Sequence, residues 1–182
     1  MAVHVESAWA RRGGPGSSRG ARLAWVLIAA LLCACRDPAD VASDWPPSSV
    51  PRDVLLAVPE QVDIDGRPYV LEAELWRDFM PVSPPDGRPL AAVMYVGATD
   101  LQDADRELDV DRVYVVFGGD AREAPVADQD VYQAPPYRIR RIAHGGPKWP
   151  TDSVVDVIVR VRSPQSGDVL LRASGQRIGR TE

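Results

Sequence analysis

VVDVIVRVR, residues 154–162, decides the fold. Val155, Val157, Val159 and Val161 fall on one side of an extended chain, and Asp156, Arg160 and Arg162 on the other. That two-residue period marks a strand with one face in a core. Working outward, Ser163–Asp168 turns the chain through Ser166-Gly167 into a short strand, Val169–Arg172, with a last one over Gln176–Arg180. Upstream, Val110–Phe117 is a strand closed by Gly118-Gly119-Asp120, and Leu90–Val96 is apolar on both faces and therefore central. Gln61–Ile64 runs into Asp65-Gly66, a hairpin-turn dipeptide. After it, Tyr69, Leu71, Ala73 and Leu75 alternate with Val70, Glu72, Glu74 and Trp76. Ala, Leu and Glu would also suit a helix over Leu71–Phe79, but the preceding hairpin favours a strand.

The remaining punctuation agrees. Tyr137–Ala143 is a basic strand, Val131-Tyr132 starts another before Pro135-Pro136, and Asp53–Val58 is a short apolar run stopped by Pro59. Pro81–Arg88, Gly97–Asp109, Ala121–Asp130 and His144–Pro150 read as loops or polar connections. About eight short strands with no convincing amphipathic helix imply an all-β protein. The expected architecture is an immunoglobulin-like or transthyretin-like β-sandwich of about seven or eight strands.

The chain has 182 residues, 45% of them hydrophobic and 26% charged, enough for one domain with a real core. That composition excludes a collagen, a multispanning membrane protein and a largely disordered chain. The net charge is -5, and from Arg36 onward 17 basic residues face 25 acidic ones. Such a balance argues against nucleic acid, whose phosphates call for a clustered basic face.

The first 35 residues have a different character. Arg11, Arg12, Arg19 and Arg22 precede an apolar block from Leu23 to Ala34, too short to span a bilayer. A basic region, a short apolar block and small residues form the pattern of a secretory signal. Leu32-Cys33-Ala34-Cys35 at its end resembles the lipobox of bacterial lipoproteins, with Leu32 and Ala34 in the aliphatic and small positions before Cys35. The resemblance covers residues 1–36 only. It implies cleavage before Cys35, diacylglycerol on the Cys35 thiol and acylation of the new amino group, and so a membrane partner. Two or three acyl chains hold a protein where one would be marginal. Arg36 directly after that cysteine implies the outer membrane, facing the periplasm. An ordinary cleaved signal and an uncleaved short anchor are the alternatives. If Cys33 leaves and Cys35 is acylated, no free thiol remains for a disulfide or a nucleophile. The expected division is a signal peptide over 1–34, a lipidated Pro/Ser-rich tether over 35–52 and a β-sandwich over 53–182. Trp45 is expected to be a loose tether residue, and the tether to reach on the order of 50 Å.

Three clusters invite a functional reading. Asp100, Asp103, Asp105 and Glu107, continuing to Asp109 and Asp111, could offer hard oxygens to calcium. The stretch is not an EF-hand, since Leu108 and Tyr114 stand where the turn glycine and bidentate glutamate belong. Arg138, Arg140 and Arg141, with His144 and Lys148 after them, make a basic patch for an anionic partner or for the protein's own acids. Lys148-Trp149, between Gly145-Gly146-Pro147 and Pro150, could join Trp76 in a contact surface or close the end of the core as a lid, with Arg77-Asp78 as a local ion pair.

Enzyme signatures are mostly missing. After Cys35, His144 is the only histidine, which excludes a multi-histidine metal site. No nucleophile elbow, phosphate loop or dinucleotide fingerprint occurs. The function expected is non-catalytic: an envelope lipoprotein whose domain binds an envelope protein or cell-wall polymer, or is structural, without a cofactor. A calcium-dependent or carbohydrate-binding module using Asp100–Asp111, and a small hydrolase using His144, are the alternatives.

Overall fold

The structure, a computed structural model, describes residues 43–127 and 134–182. The signal segment, Cys35 and Val131-Tyr132 lie outside the described residues. Among the described residues eight strands follow a five-residue helix: α1 (Arg52–Leu56), β1 (Gln61–Ile64), β2 (Arg67–Asp78), β3 (Leu90–Ala98), β4 (Asp109–Phe117), β5 (Asp120–Pro125), β6 (Arg138–Gly146), β7 (Val154–Ser163) and β8 (Gly167–Thr181). They form one curled sheet in the order β5-β4-β7-β8-β2-β3-β6, with β1 added on β2. The fold is all-β and sandwich-like, as the alternation in the sequence requires. Among the described residues no helix is long and apolar enough to cross a membrane.

The sheet folds over at β8, the strand shared by its two halves. Its length pairs antiparallel with β7, from Ser163↔Gly167 to Val154↔Arg177, while Ile178–Thr181 runs parallel to Leu75–Asp78 of β2. A register shift at Ser174-Gly175 makes the corner, with Gly175 at φ +65°, a conformation open to glycine at no steric cost. The sequence reads two strands here because that glycine interrupts the pattern; the chain bulges and carries on. Conversely, Ala121–Asp130, expected to be a loop, supplies β5.

The core lies between the two halves. Val155, Val157, Val159 and Val161 face Leu71, Leu75, Met94 and Val96 across it, all buried. A second apolar layer covers the other face of β4 and β7. There Leu55 of α1 and Val58 pack with Tyr114, Val116 and Ile158. The run Asp53–Val58 is thus helical as far as Leu56 and then turns, and this cover explains why β4 and β7 carry apolar residues on both sides.

Strands β5 and β6 are the two edges of the sheet, and the segment Ser43–Ser49 bridges them. The Asp44 amide donates to Gly145 O (3.0 Å), and the Trp45 indole Nε1–H donates to His144 O (2.7 Å), both on β6. Two residues later the chain pairs with β5: Glu123 N–H donates to Pro46 O and Ser48 N–H to Ala121 O. The Trp45 ring is 2% exposed and belongs to the main core, lying against Gly146, where any Cβ would collide with Leu90. Below it, Ala127 and Ile142 exchange both backbone bonds, so the seam closes at two levels. An open sheet edge presents unpaired backbone groups to solvent and to other chains, and this strap removes them.

The expected boundaries shift accordingly. The stretch from Ser43 to Arg52 is folded, Trp45 is a core residue, and any tether after Cys35 ends by Ser43. Glu123 fastens the strap from the sheet side. Its carboxylate accepts from the Ser49 amide and hydroxyl (2.8 and 2.6 Å) and from Arg112 (2.8 Å). Burial pushes this carboxyl up, but the Ser49 bonds and Arg112 outweigh it and hold it below its ordinary range.

Two outcomes follow from this closure. Trp45→Ala is expected to destabilise the domain by about 3–5 kcal/mol, read by denaturant unfolding, because it removes a buried indole and leaves His144 O without its donor. The contribution of Glu123 is complete above its unfolded pKa of about 4.3 and is lost as pH falls through the lower folded value. Thermal midpoints should drop in that acid range, and Glu123→Gln should flatten the drop.

Candidate functional site

The residues singled out in the sequence separate to opposite poles of the domain. Lys148 and Trp149 lie at the pole where β2 and β6 end, whereas Arg138 begins β6 at the other. Eight residue-to-residue steps of extended chain from Arg138 to Gly146 put these poles about 26 Å apart. Trp76 and Arg138 share the outer face of the half formed by β2, β3 and β6, since Trp76 pairs with Ala91 and Arg138 with Gly97.

The Lys148-Trp149 loop is built as a lid. Trp149 is half-buried against the core, its ring centroid 5.3 Å from that of Phe117 at the tip of β4. Lys148 pairs with Asp86 (2.5 Å). Beneath both lies Arg77, buried because it continues the inward set Tyr69, Leu71, Leu75 of β2. Its guanidinium donates to Arg88 O (3.1 Å), Lys148 O (3.3 Å), Trp149 O (3.2 Å) and Asp86 O, tying two loops together. Burial pulls its pKa down, and the nearby Asp86 charge opposes that shift. Arg77 and Asp78 form no ion pair, because neighbours in a strand point to opposite faces. Asp78 instead accepts from the Met80 amide and the Thr181 hydroxyl and pairs with Arg88.

At the opposite pole the outer face is hollowed. Gly97 stands opposite Arg138, and a Cβ there would come within 3.3 Å of Arg138 Cγ, so the missing side chain leaves a groove of roughly 70 Å³. Val70, Leu101, Tyr95 and Tyr137 give it apolar walls. The Arg138 guanidinium sits 5.9 Å from the Tyr95 ring centroid and 5.5 Å from that of Tyr137, and donates twice to Glu72, each bond 2.8 Å. A planar, neutralised ion pair between aromatic rings offers hydrogen bonds and π faces but little net charge. Arg140 lies on the same face, opposite Tyr95. The groove is invisible to a linear reading. Glu72, Tyr95 and Arg138 come from three strands, and only the register brings them together.

The acidic stretch does not converge. Asp100 accepts from Arg67 (2.8 and 3.3 Å), Asp103 offers that arginine its backbone carbonyl, and Asp105 caps the Glu107 amide. Asp109 pairs with Arg141, and Asp111, in a bulge of β4, with Arg160 and Arg162. Among the described residues no group of three or more His, Cys, Asp or Glu is placed to hold a metal ion. The arginines of β6 likewise meet the protein's own acids, Arg138 through Glu72 and Arg141 through Asp109. His144 is exposed on the outer face. Its carbonyl serves Trp45, and among the described residues no hydrogen bond or ion pair engages its ring.

Fold and site together define an all-β domain with an aromatic groove at the pole away from its strap. No protein-family model, curated protein or solved structure matches the chain.

Arg77→Met keeps an unbranched apolar stem but removes the guanidinium and strands four carbonyls. It should cost at least about 3 kcal/mol in denaturant unfolding, and the Trp149 emission should shift to longer wavelength as the lid loosens.

Proposed function

We propose that the chain is a lipid-anchored envelope protein whose β domain binds cell-wall glycan through the groove at Tyr95, Tyr137, Arg138 and Glu72. The anchor is Cys35, acylated after removal of residues 1–34, in the outer membrane and facing the periplasm. The observation that carries the binding reading is the Tyr95–Arg138–Tyr137 stack with its bidentate Glu72 beside an open groove. A sugar ring has apolar C–H faces and a rim of hydroxyls. Tyrosine rings suit the faces, and the guanidinium–carboxylate pair suits the rim, because it supplies both donors and acceptors. A free anion is a poorer fit, since Glu72 already neutralises the arginine. Weak single sites suffice for such a role, because confinement to a membrane raises the effective concentration of the domain near the wall.

The experiment is co-sedimentation of the purified chain with insoluble peptidoglycan. Tyr95→Ala with Tyr137→Ala removes two rings worth about 0.5–1.5 kcal/mol each, so binding is expected to weaken about tenfold. Gly97→Val should block the groove and give a similar loss. Equal sedimentation by wild type and all these variants, or none by wild type, overturns the glycan assignment. Retained capture of an envelope protein by in-cell crosslinking would then favour a protein partner.

A further inference from the structure

We infer that the domain has a fixed polarity on its membrane, with the pole around His144 and Gly145 against the lipid headgroups and the aromatic groove facing away. This rests on the proposed acylation of Cys35 and adds the surface that meets the bilayer.

The argument is one of chain length and of where the chain enters the fold. Without the strap, residues 36–52 would allow reach on the order of 50 Å in extended form, and the domain could tumble freely. The strap changes that arithmetic. Asp44 and Trp45 are bonded to Gly145 and His144, and the indole is buried in the core, so the chain becomes part of the domain at Ser43. Only residues 36–42 separate Ser43 from Cys35. Eight fully extended Cα–Cα steps cover no more than about 29 Å.

That limit is shorter than the body it holds. A domain of about 140 residues has a radius of gyration near 14 Å, hence a span on the order of 35 Å. The entry point lies at the Gly145 end of β6 and the groove at its Arg138 end, about 26 Å along the strand. Turning the groove toward the bilayer would lift Ser43 by at least that distance and demand a nearly straight leash, with the loss of conformational freedom that implies. Lowering the Gly145 pole costs no such stretch. The short leash therefore selects the orientation in which the groove reaches outward.

The test uses the acylated chain purified from membranes and reconstituted in phosphatidylethanolamine–phosphatidylglycerol vesicles. If Cys33 leaves with the signal and Cys35 is acylated, one introduced cysteine is a unique label. His144→Cys marks the proposed membrane pole. Gln165→Cys, exposed in the β7–β8 turn, marks the other. Energy transfer to headgroup-labelled acceptor lipid is expected to be at least about twofold more efficient from position 144. Inserting twelve Gly/Ser residues after Asp40 should bring the two efficiencies together. Flotation with vesicles, lost in Cys35→Ser, combined with equal transfer from both positions, overturns the polarity and leaves the anchor standing. Failure of the wild-type chain to float overturns the anchor and the polarity with it.

Discussion

The seam between β5 and β6 is the constraint on which the architecture depends. A curled sheet that does not close exposes two edges, each with a row of unsatisfied backbone groups, and a core open along one side. Here a seven-residue strap crosses the gap, bonded to β6 through Asp44 and Trp45 and to β5 through Pro46 and Ser48. Trp45 fills the space behind it, and Glu123 locks it by accepting from Ser49 while paired with Arg112. The same contacts that complete the core also fix where the chain leaves it. Stability and the point at which the chain enters the domain are thus two consequences of one packing arrangement.

The two poles divide the work. At the entry pole, Arg77 gives its donors to loop carbonyls and Trp149 packs on Phe117, so the Gly- and Pro-rich loop there is fastened to the core. At the far pole the lack of a side chain at Gly97 leaves space, and the rings around it are held by an arginine that a glutamate has already neutralised. Most charged residues proposed for ligands are spent internally. Asp100 serves Arg67 and Asp111 serves Arg160, each fastening a loop or bulge to the sheet. In a chain this rich in arginine and acid, internal pairing is the default use of a charge, and aromatic residues on an outer face are the better marker of a surface with another purpose.

Local patterns in the sequence translated well where strands are regular. The valine alternation of β7 and the Asp65-Gly66 hairpin, with both turn residues at positive φ, follow directly from side-chain period and turn chemistry. Arg77 was misread: the sequence pairs it with Asp78, whereas its place two residues after Leu75 on the inward face turns it to loop carbonyls. What could not be read was long-range pairing. Pro46 and Pro47 look like linker, because proline lacks a backbone donor, yet the Pro46 carbonyl accepts from Glu123 and the Trp45 indole before it donates to His144. Gly175 looks like a strand end but is a bulge. Residues of the groove are scattered over β2, β3 and β6, and register is a property of the folded sheet.

Hydrogen exchange at the strap tests the central claim most directly, because it asks whether Ser43–Ser49 opens with the domain or independently of it. The account requires the Ser48 and Ser49 amides and the Trp45 indole Nε1–H to exchange with the same free energy as core amides of β4 and β7, within the global unfolding limit. Exchange of those three protons at the rate of an unfolded chain, while β4 and β7 stay protected, would contradict it. The strap would then be a linker, and the seam would be open.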